Sequence, residues 1–180
     1  MASTRIPDPV LLVVATFSRH ASALEWARRR LEEEFGPVAL VSPVYEFTQT
    51  AYYESTMGPG LRKQFLAFRE LVAADMLPAT KLRTNQLEDQ LAASGAYPEP
   101  RPLNLDPGIL ALGKFMLATT KDQAHRVYLR DGIYAEATLR FEAGEFQPWP
   151  WTYADYRLPQ VADFLKTARE FYRARLREPS

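Results

Sequence analysis

Between Asn104 and Glu136 the chain reads NLDPGILALGKFMLATTKDQAHRVYLRDGIYAE, with charged or ionisable side chains set among apolar residues. They include Lys114, Lys121, Asp122, His125, Arg126 and Glu136. The densest part is TTKDQAHR. The hydroxyl of Thr120, the ammonium of Lys121 and the guanidinium of Arg126 suit an anion such as phosphate or carboxylate. His125 can exchange a proton near neutral pH, and Asp122 can orient its ring. On this reading His125 and Asp122 are the catalytic candidates, and Lys121, Arg126 and Thr120 hold the ligand. The same residue types also make turns and caps, with charges pairing locally. Both readings stand at this point.

Other residues could join that site. Lys81, Asn85 and Glu88 fall at i, i+4 and i+7, on one face of a helix. They could read a polar ligand, with Lys81 and Asn85 contributing to the site; a solvated helix face is the favoured reading. Asp106 and Glu136 could act with Asp122 as oxygen ligands for a hard cation, with His125 as an added nitrogen ligand. Their spacing matches no metal motif, so no protein-bound metal is expected, although magnesium could arrive with a phosphate ligand. Trp149, Trp151, Tyr153 and Tyr156 could stack on a base or pack the loop that carries them. Tyr52 and Tyr53 sit in a long loop and could belong to a lid. His20, at a helix start, does not specify a site by itself. GxxxxGK[ST], GxSxG, HExxH and GxGxxG are all absent.

The elements that must position these groups follow from periodicity and turn chemistry. Val10 to Thr16 is an apolar, β-branched run and predicts a strand buried on both faces. Ser22 and Glu25 fit a capping box for a helix carrying Leu24, Ala27, Leu31 and Phe35, which Gly36-Pro37 stops. Val38 to Phe47 predicts a strand broken at Pro43. Thr48 to Gly60 is a long polar and aromatic loop. Leu61 to Val72 reads as a strand or a helix, with a strand favoured for its first part; Leu77 to Ala93 is a helix, and Leu103 to Leu105 is a short strand. Asp106-Pro107-Gly108 reads as a helix start, with Ile109, Leu112, Phe115 and Met116 as its stripe. Arg126–Leu129, Ile133–Phe141 and Phe146 predict an antiparallel meander. Leu158 to Leu176 is a final amphipathic helix.

The expected class is α+β. A ferredoxin-like β-α-β-β-α-β core fills the first 105 residues. A helix, the meander and the C-terminal helix follow, all in a single domain over 1–180. The meander could extend the first sheet or form another.

Composition narrows the function classes. The chain has 22 Lys and Arg against 22 Asp and Glu. Zero net charge supplies no global field for a nucleic acid or an anionic membrane, which makes nucleic acid an unfavoured partner. There is no cysteine, so disulfides, thiolate metal sites and a cysteine nucleophile are excluded. No apolar run approaches the roughly 20 residues that span a bilayer. MASTRIPDP leads into LLVVA without the features of a signal peptide. A cytoplasmic protein is the expectation.

Several motifs together carry a resemblance. They are GPV at 36–38, KLRTNQLE at 81–88, NLDPG at 104–108, LATTKDQAHRVYL at 117–129, GIYAEATL at 132–139 and PWTYADYR at 150–157. In that order they are similar to a prokaryotic family called domain of unknown function 4416, over the full length. The resemblance implies no established activity. Some members carry a GTP-binding label, yet this chain has no P-loop.

The expected function is binding of, or action on, a small anionic ligand such as a nucleotide or phosphorylated metabolite. Whether it is an enzyme stays open. The alternatives are a non-catalytic protein-interaction module and, less favoured, an RNA-binding protein.

Overall fold

A computed structural model describes residues 3–177. The elements in order are β1 (Val10–Ser18), α1 (Ala21–Phe35), β2 (Val38–Val41), β3 (Tyr45–Glu46), α2 (Glu54–Met57), β4 (Arg62–Val72), α3 (Leu77–Ala93), β5 (Asn104–Ala111), β6 (Lys114–Thr119), β7 (Val127–Arg130), β8 (Ile133–Glu142), β9 (Glu145–Pro148) and α4 (Pro159–Arg175). Short 3-10 turns precede α3, at 74–76, and α4, at 154–157. The protein is a mixed α+β structure built on one nine-stranded sheet.

The sheet runs β2-β4-β1-β5-β6-β8-β7, with β3 also on β4 and β9 also on β8. Every pairing is antiparallel. The meander therefore extends the first sheet. β1 lies inside the sheet between β4 and β5, and all nine of its residues are buried. Its alternate side chains feed two cores. Leu12 and Val14 pack with Leu24, Ala27 and Leu31 of α1 and Leu87 and Leu91 of α3. Leu11, Val13 and Ala15 face the other way, toward Val161, Leu165 and Ala168 of α4. The period of two in the strand thus assigns α1 and α3 to one face and α4 to the other.

Two local expectations are corrected. The capping box does not form. Helix α1 begins beyond His20, so Ser22 already lies inside the first turn and its hydroxyl bonds the Tyr97 hydroxyl at 3.0 Å. The Ser18 hydroxyl accepts from the His20 N–H instead, at 3.0 Å. The second correction is larger. The helix expected from Asp106 is a hairpin, β5 and β6, turning at Leu112-Gly113. Ile109, Leu112, Phe115 and Met116 do recur at helical spacing, but burial follows the strand period. Leu110, Phe115 and Leu117 enter the core under α4. Ile109 and Ala118 enter a smaller core beside Leu77 at the start of α3. Two faces had to be filled, and only alternation fills both.

This hairpin is forked. β5 pairs with β6 only from Gly108 to Ala111, opposite Leu117 to Lys114. Below the fork, Asn104 to Pro107 pairs only with β1, and Ala118 and Thr119 only with β8. Backbone groups turned into the gap need other partners. Leu105 finds them on α3: its N–H donates to Glu88 Oε1 at 2.7 Å, and its carbonyl accepts from Lys81 Nζ at 2.8 Å. Pro107, two residues on and turned the same way, has no N–H to satisfy. Gly108 marks the vertex. A Cβ there would lie 2.6 Å from the Met116 carbonyl oxygen and 2.6 Å from the Phe115 ring.

Among the described residues, no helix is long and apolar enough to cross a membrane.

Gly108→Ala should therefore destabilise by about 1–3 kcal/mol, the usual cost of overpacking a core. Urea denaturation measures this; a variant within about 0.5 kcal/mol of wild type, the scatter of ordinary surface substitutions, would show that the vertex is not tight.

Candidate functional site

The gap below the fork opens into a cavity of about 490 Å³, within the range of small-molecule sites. One wall is β1 and β5, through Phe17, Asn104 and Asp106. The opposite wall is β6 and the segment after it, from Leu117 to Lys121. Lys81 enters from α3, Lys63 from β4, Glu136 from β8, and Tyr153, Asp155 and Tyr156 from the loop before α4. Tyr52 and Tyr53 of the long loop also line it, with the Tyr53 ring packed on Phe17 and Phe47.

Local sequence explains why the charges point inward. Lys63 lies two and four residues before Phe65 and Ala67, on the face of β4 that meets the α4 core. Alternation gives Lys63 no route to solvent, and it is 2% exposed. Its ammonium bonds Asp155 Oδ2 at 2.5 Å. It also lies 4.5 Å from the centre of the Tyr156 ring and 5.3 Å from that of Phe17, close enough for cation–π attraction. Glu136 shares the inward face of β8 and is 1% exposed. Arg126 meets it, Nε to Oε2, at 2.9 Å. The same guanidinium donates to the Lys121 carbonyl at 2.9 Å and to the Tyr153 hydroxyl at 2.6 Å. Arg126 thus holds the Lys121 segment and the aromatic loop to β8.

The cations and carboxylates pair off around the void. Lys63 has Asp155, Arg126 has Glu136, and Lys81 has Asp106 at 3.3 Å. Arg101 donates to Glu88 at 2.9 Å and also to the side-chain amide oxygen Oδ1 of Asn104. Lys121 differs. Its ammonium donates to the Tyr52 hydroxyl at 3.1 Å and sits 4.4 Å from that ring's centre, with no carboxylate partner among the described residues. The cavity is lined by five Lys or Arg side chains against three carboxylates, so its surface carries an excess of positive charge.

Titration follows this arrangement. Burial would lift the Asp106 carboxyl, but Lys81, Lys63 and Arg101 together hold it below its ordinary value. Burial pushes Glu88 up, against the pull of Lys81 and Arg101. Burial, with Asp155 and Asp106 nearby, raises the Tyr156 phenol far above its usual range. The hydrogen bond from Lys121 lowers the exposed Tyr52 phenol. Two buried donors on the lining, Asn104 Nδ2 and the Tyr156 hydroxyl, have no partner.

The predicted site residues divide. Lys121, Arg126, Thr120 and Lys81 line the cavity together, as do Asp106 and Glu136. His125 does not reach it. Its Nε2 contacts Glu136 Oε2 at 3.1 Å and its ring stacks on Trp151 at 5.2 Å. It stands behind the Glu136 carboxylate, between that group and the Trp151-Trp149 stack. Asp122 is exposed and Asn85 half-buried, and neither lines the cavity. Of the four aromatic candidates, Tyr153 and Tyr156 line it, while Trp149 stacks between Trp151 and Arg140. Among the described residues, no three His, Asp or Glu side chains are grouped to hold a metal ion. Lys63, Asp155, Asn104 and Arg101 were absent from the sequence-derived set. Lys63 was recoverable, since a lysine in phase with Phe65 and Ala67 must be buried. Asp155 was not, because nothing local turns it toward a strand 92 residues away.

Arg126→Met should cost about 3–5 kcal/mol, the range for stranding one charge of a buried pair. Arg126→Met combined with Glu136→Leu should recover at least half of that loss in urea denaturation. A double variant worse than the single would place the cost elsewhere. Asp106 predicts a pH effect. Its folded pKa lies below the ordinary 3.8, so the charged form adds stability above about pH 4, and this is lost as pH falls through the folded value. The stability gap between wild type and Asp106→Asn should narrow below pH 4; a gap independent of pH would contradict it.

No curated protein matches the chain. The sequence model of a family described as Domain of unknown function (DUF4416) matches residues 8–172. That span runs from just before β1 into the last turn of α4 and includes every residue lining the cavity; the chain belongs to this family.

Proposed function

We propose that the protein binds a small anionic ligand, such as a nucleotide or phosphorylated metabolite, in the cavity below the fork of β5 and β6. The observation that carries this is Lys121. It is the one lining cation without a carboxylate among the described residues, and its hydroxyl partner on Tyr52 is exchangeable. Thr119 and Thr120 stand beside it. A phosphate at this position gains a charge-assisted bond without breaking an ion pair. Magnesium could accompany the phosphate, since Asp106 is only partly buried.

Tyr52 and Tyr53 act as a movable cover on this reading, and Arg126 positions Lys121. His125 and Asp122 serve the site through Glu136 and the 119–126 segment. Any reaction would draw on the cavity's own groups. The ferredoxin-like reading of the first part is supported by the order β2-β4-β1-β5, with α1 and α3 as crossovers on one face. A cytoplasmic location is supported by the absence of cysteine from all 180 residues.

A protein-interaction role is the second reading. It is favoured by β7, an edge strand whose Val127 and Tyr128 are 66% and 57% exposed.

Thermal shift separates the two. Inorganic phosphate and nucleoside monophosphates should raise the melting temperature of wild type, because they bind only the folded state. Lys121→Met should keep the wild-type melting temperature and lose most of that response. An equal response in the variant, or none in wild type, would defeat the anion-site reading.

A further inference from the structure

Asp106 stands apart from the other carboxylates that line the cavity. Its side chain is 28% exposed, against 7% for Asp155 and 2% for Glu136. Oδ1 accepts from Lys81 at 3.3 Å, and Lys81 makes its shorter bond, 2.8 Å, to the Leu105 carbonyl. Oδ2 has no partner among the described residues, yet it is not one of their enclosed unpartnered atoms, so solvent reaches it. A carboxylate offers about four acceptor positions, and most of this one's are unused.

The carboxyl lies among the lining groups. Lys81, Lys63 and Arg101 act on its charge, and its charge acts on the Tyr53 and Tyr156 phenols. All of these residues line the cavity, and they come from separate segments of chain. The three cations hold it ionised, so it can only accept hydrogen bonds. They also decide what it would accept. A ligand ammonium would be repelled by three cations around the same carboxylate. Hydroxyl donors meet no such repulsion, and an acidic side chain accepts from a ribose hydroxyl in this way in dinucleotide-binding folds.

Charge places the ligand's other end. Lys63, Lys81, Arg101 and Arg126 each have a carboxylate, whereas Lys121, which is exposed, has none among the described residues. Arg101 acts on the Asp106 carboxyl and also on the Tyr52 phenol to which Lys121 donates. Both ends thus lie around one guanidinium, and a ligand filling the cavity of about 490 Å³ meets both.

We infer that the ligand is a phosphorylated sugar, with its phosphate on Lys121 and its hydroxyls donating to the Asp106 carboxylate. This rests on the anion-site reading and adds the ligand class and the residue that selects it.

Calorimetric titration with ribose 5-phosphate, propyl phosphate, inorganic phosphate and UMP tests this. Wild type should bind ribose 5-phosphate about tenfold more tightly than propyl phosphate, the scale of one hydrogen bond to a charged group. That comparison needs no variant, so folding does not enter it. Asp106→Asn should remove most of the preference and bind inorganic phosphate as tightly as wild type or more so, because a nearby negative charge is gone. Lys121→Met should weaken every probe and keep the preference. UMP bound more tightly than ribose 5-phosphate supports the sugar of a nucleotide, and UMP bound no more tightly supports a free sugar phosphate. Equal binding of ribose 5-phosphate and propyl phosphate by wild type, or a preference that survives Asp106→Asn, overturns the inference and leaves the anion site intact. So does a loss of inorganic phosphate binding in Asp106→Asn with magnesium present, which would give the carboxylate to a metal ion. A wild-type protein that binds none of these probes overturns the anion site and this inference with it.

Discussion

The backbone of Leu105 decides the shape of this protein's centre. In an uninterrupted sheet its N–H and carbonyl would belong to β6. Here they belong to Glu88 and Lys81, two turns apart on α3. Those two bonds let β5 and β6 part without leaving the Leu105 N–H and carbonyl unpaired. Pro107 removes the next donor that parting would orphan, and Gly108 lets the strands close again immediately above. Replacing the pairing restores a filled sheet; keeping the fork leaves a void in the middle of nine strands. The face of α3 that looks like a solvated stripe in one dimension is a splint.

Much of this was legible from residues alone. β1, α3 and α4 follow from period and length, and Pro43 does separate β2 from β3. The clustering of Lys81, Lys121, Arg126 and Glu136 follows from a simple premise: charges in apolar segments must meet each other or water. The failures share a cause. Asp106-Pro107-Gly108 carries a valid helix-start signal, and only the two-sided burial of β5 overrides it. His125 was close to the site in sequence and is held outside it by a stack with Trp151, a contact across 26 residues that no local pattern encodes. Lys63 could have been found by phase, whereas Asp155, its partner, could not.

The buried pairs carry the remaining argument. Lys63–Asp155 and Arg126–Glu136 are almost fully enclosed. Desolvation offsets most of the attraction in such pairs, and apolar residues of similar volume often serve stability as well or better. A sheet selected only to fold would fill this gap with carbon. Instead paired charges line it. Each pair holds only while both partners stay, because one charge stranded among apolar walls costs far more than the pair contributes. The Arg126 guanidinium also fastens the Lys121 carbonyl and the Tyr153 hydroxyl to β8, and the Lys63–Asp155 pair ties β4 to the loop before α4. The charges thus fix the positions of walls that carbon would simply have filled.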